Sequence, residues 1–138
     1  MRIELIPKEN ISITLPLLSA LNPSISQDEI RNRLAEMIET GYECVGVFDE
    51  ETLVGICGIW TLTKIYVGRH IEPDNVIISP EYRSRQLGQQ LMEWVESYAR
   101  SKGCVASELN CYVSNEAGNK FWQQQDYKVL GLHYQKKL

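Results

Sequence analysis

The chain has 138 residues, of which 43% are hydrophobic and 23% are charged, and its formal net charge at pH 7 is -4. This length predicts a single domain over residues 1–138 with its own core. The acidic balance argues against a general nucleic-acid binder, because phosphate neutralisation requires a concentrated lysine and arginine face. No apolar run approaches the roughly 18 residues of a membrane span, and the start lacks a signal peptide's apolar centre. We therefore expect a cytoplasmic protein with no nucleic-acid or membrane partner.

The N-terminal third predicts one strand and two helices. Residues 2–6 are expected to form a short strand, and residues 10–21 a helix that Pro16 breaks or kinks. The spacing of Ser26 and Glu29 is that of a capping box, which predicts a second helix ending before Gly41.

A hairpin and a third strand are predicted next. Residues 42–48 and 53–62 read as antiparallel strands joined by a short polar turn. Residues 63–69 are expected to connect this hairpin to a further strand over residues 70–79. Gly58 inside the second strand suggests a bulge or a close neighbour.

The last part of the chain predicts two helices and two strands. Apolar residues recur with helical spacing from Leu87 until Gly103. Residues 104–111 should then form a strand in the middle of the sheet. Ser114 or Asn115 can cap a helix over residues 116–124. Residues 127–138 look extended, which completes the order β-α-α-β-β-β-α-β-α-β and predicts an α/β (α+β) fold with a mixed sheet flanked by helices.

The turn between the strand at 70–79 and the helix at Leu87 is a candidate anion site. A helix start carries unpaired amides and about half a positive charge. Two arginines precede this helix start, and Gly88 lets a ligand approach the backbone. A phosphate or pyrophosphate is the natural guest. An ordinary strand-to-helix turn with solvated arginines is the alternative.

Two motifs resemble those of the GNAT superfamily of acyl-CoA-dependent N-acetyltransferases. The turn reads Arg83-Ser84-Arg85-Gln86-Leu87-Gly88, similar to the family's Arg/Gln-x-x-Gly-x-Gly/Ala, with Gln86 where the family usually has glycine. If that position requires a positive φ, a residue other than glycine costs about 1 kcal/mol. The run from Asn115 to Tyr127 resembles the second motif, with Trp122 in place of the usual tyrosine.

The resemblance implies the GNAT fold and acetyl-CoA as the acyl donor. By this resemblance, the backbone of the strand before the turn pairs with the pantetheine arm, the amides of the turn and helix start hold the pyrophosphate, and Asn115 steadies the arm. Trp122 is expected to pack against it. The expected donor-binding residues are Val76, Ile77, Ile78, Arg83, Ser84, Arg85, Gln86, Leu87, Gly88, Gln89, Asn115 and Trp122.

Acetyl transfer to an amine requires a neutral nitrogen, so the site needs a general base. Glu72 and Asp74 lie on the strand before the motif, and Asp74 is our first choice, with His133 on the predicted last strand as the second. Both residues could instead have purely structural roles, Asp74 as a turn or capping residue and His133 as a surface or core residue. The indole of Trp122 is too weak an acid to protonate the leaving thiolate, which needs little help.

These features predict an N-acetyltransferase that moves an acetyl group from acetyl-CoA to a primary amine of a small molecule or protein. Gln86 and Trp122 favour an alternative, a catalytically impaired acyl-CoA-binding module that acts as a sensor or protein partner. The four cysteines and two histidines show no metal-site spacing, so no metal is predicted. The sequence leaves open the identity of the acceptor and whether the protein is a homodimer.

Overall fold

A computed structural model describes residues 1–138 and contains one five-stranded mixed sheet with helices on both faces. The strands are β1 (Arg2–Leu5), β2 (Glu43–Asp49), β3 (Thr52–Lys64), β4 (Gly68–Ile78) and β5 (Ala106–Ser107). The helices are α1 (Leu15–Leu21), α2 (Gln27–Glu39), α3 (Leu87–Ser101) and α4 (Glu116–Gln124). No helix is long and apolar enough to cross a membrane, and the cytoplasmic location stays a prediction.

The first half of the chain follows the predicted order. The helix expected over residues 10–21 is divided into a 3-10 helix, Lys8–Thr14, and α1, with Pro16 in the first turn of α1 where its missing amide is not needed. Ser26 caps α2 by accepting a hydrogen bond from the Glu29 amide at 3.1 Å. The break at Pro16 and the capping box are therefore both confirmed.

The sheet has the spatial order β1-β2-β3-β4-β5. The first four strands are antiparallel to their neighbours, and β5 runs parallel to β4. The connection predicted over residues 63–69 is wrong, because β3 and β4 continue through most of it and form a hairpin that turns at residues 65–67.

A bulge interrupts β4 beside Gly58. The register shifts so that Asn75 and Val76 together lie opposite Cys57, and Asn75 adopts a positive φ of 54°. A bulge bends its strand and increases the local twist. The irregularity predicted from the glycine in β3 is confirmed, although the extra residue belongs to β4.

Two buried clusters hold the helices on opposite faces of the sheet. The helix α3 packs on one face, where Leu91, Met92 and Val95 are completely buried. The helices α1 and α2 pack on the other face around Tyr42 and Ile56. The sheet itself has one gap, because β4 pairs with β5 only at His70 and Ile71.

The structure corrects both C-terminal strands. Only Ala106 and Ser107 of the strand predicted over residues 104–111 pair, and they lie at the edge of the sheet rather than in its middle. The strand predicted over residues 127–138 is absent. A strand needs a neighbour to satisfy its amides and carbonyls, and no backbone hydrogen bond joins residues 128–138 to β5.

Candidate active site

The turn before α3 presents a series of free backbone amides. Ser84 and Gln86 both adopt the left-handed conformation, with φ of 64° and 59°, so position 86 does require the positive φ that was considered for it. None of the six amides in residues 84–89 donates a hydrogen bond within the protein. Successive amides in such a turn form a concave anion-binding nest, and the helix dipole of α3 adds to it.

The two arginines of the turn have partners of their own. Arg83 Nε donates to the Ile78 carbonyl oxygen at 3.0 Å, which ties the turn to the end of β4. The guanidinium of Arg85 lies 5.0 Å from the centre of the Tyr82 ring. The Tyr82 hydroxyl donates to Asp49, and this hydrogen bond raises the pKa of the phenol. The nest is thus held against both β4 and the end of β2.

The first turn of α3 shows why residue 88 is a glycine. A Cβ atom there would lie 3.2 Å from Phe121 of α4, so the glycine permits close packing of the two helices. Leu87 is buried in the core beneath α3, and the side chain of Gln89 donates to Glu93. Within the protein the nearest constraint on Gly88 is thus a neighbouring helix, and the close approach of a ligand to its backbone stays a prediction.

The strand edge beside the nest is open. Pairing of β4 with β5 ends at Ile71, so the following residues of β4 have no neighbour on that side. The Ser79 amide donates to the Val54 carbonyl oxygen on β3. Because hydrogen-bonded positions alternate along an antiparallel ladder, the backbone N–H and C=O of Ile77 also point toward β3. Val76 and Ile78 therefore face the open edge, while the backbone groups of Ile77 do not. The Ile78 carbonyl already accepts from Arg83.

The helix α4 lies beside this gap and carries the second motif. The Asn115 side chain caps α4 by accepting from the Gly118 amide at 2.9 Å, so of its side-chain amide only the nitrogen is free for a ligand. A Cβ atom on Gly118 would clash with the Asn115 side chain, so the glycine makes room for this cap. Trp122 is half-buried, with its ring 4.9 Å from Phe121.

A phenol that the sequence interpretation missed packs on Trp122. The ring of Tyr127 lies 5.3 Å from the Trp122 ring, and its hydroxyl is 2.6 Å from Ser107 Oγ on β5. Burial raises the pKa of Tyr127, so it retains its proton at neutral pH. This contact joins α4 to the strand that borders the gap. Tyr127 is the last residue of the run that resembles the second motif, and nothing in the local sequence indicated its contact with Ser107.

Asp74 lies on the face of β4 that is turned toward α1 and α2. Its Oδ2 atom accepts a hydrogen bond from Trp60 Nε1 at 3.0 Å. Tyr42 packs on Trp60 at 5.3 Å and is almost completely buried, and its hydroxyl has no hydrogen-bond partner. Burial raises the pKa of Tyr42 well above its usual range. The carboxylate is therefore held in place by an indole beside a neutral phenol.

Two further acidic residues join this face, and His133 does not. Glu72 on β4 and Glu108 after β5 flank the buried side chain of His70. The alternation of His70, Glu72 and Asp74 along β4 was visible in the sequence, whereas Glu108 is added only by strand pairing. His133 is exposed in the C-terminal segment and makes no hydrogen bond or ion pair with these carboxylates.

Comparisons with known proteins agree with this geometry. Residues 13–127 match the family model described as acetyltransferase (GNAT) family. An aminoalkylphosphonate N-acetyltransferase of Salmonella typhimurium is 27% identical over 67 residues, a match that spans 49% of this chain and 44% of that enzyme. The chain thus covers less than half the length of that relative.

Solved structures share the fold over nearly the whole chain. A ribosomal-protein-alanine N-acetyltransferase from Brucella melitensis superposes with a TM-score of 0.85 at 18% identity, covering 100% of both chains. An aminoglycoside N-acetyltransferase solved in complex with CoA gives a TM-score of 0.84 at 15% identity, covering 99% of this chain and 95% of that one. The α+β architecture is shared by all three chains.

Proposed function

Because the chain belongs to the acetyltransferase (GNAT) family, we propose that it acts as one N-acetyltransferase domain, residues 1–138, that moves an acetyl group from acetyl-CoA to a primary amine of a small molecule or protein. One observation carries this proposal: six consecutive unpaired amides in residues 84–89 lie beside an open strand edge. A pyrophosphate needs several donors in one place, and an extended amide arm needs a free strand edge.

The donor would be held by the backbone more than by side chains. The nest at Ser84 and Gln86 would receive the pyrophosphate, with Arg85 at its rim. The outward backbone groups of Val76 and Ile78 would pair with the pantetheine arm. Pairing at Ile78 requires its carbonyl to exchange or share the hydrogen bond from Arg83. When bound, acetyl-CoA supplies the activated acyl group.

The acceptor nitrogen must lose a proton before it attacks, and Asp74 is our proposed base. Its carboxylate lies on the face of β4 opposite α3, and the bond from Trp60 fixes its orientation. Asp74 would take the amine proton directly or through one water molecule. We prefer it to His133, because the exposed C-terminal segment holds that histidine outside the cluster of carboxylates.

The departing thiolate requires a proton, and we assign this role to Tyr127. Trp122 occupies the position of the motif's tyrosine, but an indole N–H is too weak an acid for the task. Tyr127 packs on Trp122 and hydrogen-bonds Ser107, so its phenol lies where α4 meets the border of the gap. A raised pKa keeps the phenol protonated until the thiolate forms.

The first experiment is thiol release from acetyl-CoA across a panel of amines. We expect amine-dependent release, and calorimetry should show CoA binding to the same protein. Absence of both would overturn the proposal. Binding without turnover for any amine would instead favour the acyl-CoA-binding module. The relatives described above are enzymes, so the comparisons give that alternative no support.

We also propose a homodimer formed through the C-terminal segment. Val129, Leu130, Leu132 and Tyr134 are each more than three-quarters exposed, and the outer edge of β5 is unpaired. Contiguous apolar surface of this kind marks association sites. Light scattering should give a dimer for the parent and a monomer for the Leu130→Asp, Leu132→Asp double variant. Gln135→Asp, which adds charge without removing an apolar side chain, is the control. A monomeric parent would contradict the proposal.

A further inference from the structure

An uncompensated acidic cluster lies on the acceptor side of the sheet. His70 and Glu72 alternate along β4 and therefore share a face, and Glu108 follows the residue of β5 that pairs with Ile71. The side chains of Glu72 and Glu108 are only 23% and 22% exposed. No lysine or arginine forms an ion pair with either carboxylate. These two partly desolvated negative charges thus have no lysine or arginine beside them, and His70 is the only basic side chain that they contact.

The histidine between them carries an unused polar atom. His70 is completely buried, and its Nδ1 donates to the Gly68 carbonyl oxygen at 3.0 Å, since a carbonyl can only accept. Its Nε2 has no hydrogen-bond partner and points between Glu72 Oε2 at 3.5 Å and Glu108 Oε1 at 3.8 Å. An unpartnered buried nitrogen is costly, and in the neutral imidazole that donates from Nδ1 the Nε2 atom is an acceptor for a ligand that donates.

An ammonium group matches all three acceptors. It carries three N–H donors and one positive charge, so a single group can bind both carboxylates and the imidazole nitrogen. The Tyr66 hydroxyl donates to Glu108 and holds that carboxylate in position, and this bond raises the pKa of Tyr66. The cluster lacks the geometry of a metal site.

The position of the cluster relative to Asp74 sets the length of the ligand. Asp74 follows Glu72 by two residues on the same face of β4, a separation of about 7 Å along the strand. We propose that the acceptor is a small aliphatic diamine or oligoamine. One nitrogen reacts beside Asp74, and a second, charged nitrogen binds among His70, Glu72 and Glu108. This inference rests on the proposed function, because it names the acceptor of the same reaction.

The same charges disfavour anionic acceptors. A phosphonate at the far end of the substrate would lie against Glu72 and Glu108 and be repelled. The Salmonella relative is named for aminoalkylphosphonate substrates, which carry such a group. We therefore expect this chain to discriminate against aminoalkylphosphonates even though it is similar to that enzyme.

Three acceptors that differ only at the far end test the inference. They are 1,4-diaminobutane, n-butylamine and 4-aminobutanoate, which end in an ammonium, a methyl and a carboxylate group. We expect kcat/KM for the diamine to exceed that for butylamine by about tenfold or more, and 4-aminobutanoate to be the poorest acceptor. Equal or higher kcat/KM for butylamine, or preferential acetylation of a lysine peptide, would overturn the diamine assignment.

Variants assign any preference to the cluster. Glu108→Gln should lower the ratio of diamine to butylamine kcat/KM by about tenfold. Glu39→Gln, which removes the same charge from an exposed position on α2, should leave the ratio unchanged. If Glu108→Gln lowers the melting temperature but preserves the ratio, the cluster is an internal ion pair and the inference fails.

Calorimetry keeps this test separate from the proposed function. The parent protein, with no acyl donor present, should bind 1,4-diaminobutane more tightly than butylamine, and Glu108→Gln should abolish the difference. A binding preference for the diamine without thiol release would support the proposed cation site and contradict the proposed acetyltransferase activity. Thiol release without any preference for the diamine would support the proposed acetyltransferase activity and contradict the proposed cation site.

Discussion

At the scale of single residues, the proposed acid and base are Tyr127 and Asp74, and neither occupies the position of the motif's usual tyrosine. Trp122 stands in the motif, but the phenol that packs on it comes from Tyr127, five positions later. The hydroxyl of Tyr127 contacts Ser107 on β5. Asp74 is held by Trp60 from the neighbouring strand. Each group depends on a partner from another element, so the motif by itself describes an incomplete site.

Replacing the phenol tests the proposed acid. Tyr127→Phe should lower kcat by about tenfold, less than the usual contribution of general acid catalysis, because a thiolate leaves easily. Trp122→Tyr alone should give a small gain. In the Tyr127→Phe background it should restore most of the lost rate, since it returns a phenol to the same place. Steady-state kinetics measures both, and no loss in Tyr127→Phe would remove this residue from the reaction.

Replacing Asp74 tests the base. Asp74→Asn preserves an acceptor for Trp60 and should lower kcat/KM by about a hundredfold, with CoA affinity unchanged. Trp60→Phe removes the orienting hydrogen bond and part of the ring that packs on Tyr42 but leaves the carboxylate, so we expect a smaller loss from it. The control is the CoA dissociation constant of both variants. If Asp74→Asn keeps the parent rate across the pH range, the base lies elsewhere.

At the scale of elements, the turn before α3 combines backbone strain with the candidate anion site. Gln86 adopts a left-handed conformation that costs a residue other than glycine about 1 kcal/mol. That conformation also directs the free amides of residues 84–89 to one side. The exposed side chain of Gln86 borders the same surface. Strain and crowding can therefore be separated by substitution.

We expect Gln86→Gly to leave the fold intact and to tighten CoA binding severalfold. Gln86→Ala serves as the matched control, because it removes the side chain but retains the left-handed strain. Calorimetry distinguishes the two causes. Tighter binding of both variants indicates crowding by the side chain, whereas tighter binding of the glycine variant alone indicates strain. Weaker binding of both would show that the glutamine amide contacts the ligand.

The contact between α3 and α4 makes a prediction about Gly88. Gly88→Val should weaken CoA binding and also destabilise the protein, because its Cβ would press on Phe121. Phe121→Leu in the same chain should recover part of the melting temperature by relieving that contact. CoA affinity should remain weak if the valine also fills the space that the pyrophosphate approaches. Recovery of both the melting temperature and the CoA affinity would mean that Gly88 is needed only for packing against Phe121.

At the scale of the whole molecule, the divergence of β4 from β5 creates the candidate site. The two strands pair at His70 and Ile71 and then separate, which opens the strand edge on which the proposed donor site is built. The bulge at Asn75 bends β4 at the same level. The acceptor face and the nest thus meet at one gap.

The sequence by itself determined the features that depend on neighbours along the chain. The cap at Ser26, the break at Pro16 and the extent of α4 follow from side chains that contact their own backbone. The motif's usual glycine raised the question of a positive φ at position 86, and Gln86 has one. Such interactions span a few residues, so a local pattern is enough to predict them.

Only the tertiary structure decided the features that join distant segments. Glu108 reaches His70 because two strands pair in parallel, and Tyr127 reaches Ser107 because α4 folds back on the sheet. The predictions of the two C-terminal strands were wrong for the same reason, since an extended sequence becomes a strand only when it can hydrogen-bond to a neighbouring edge. Pairing is a property of both partners, and a single segment carries information about only one of them.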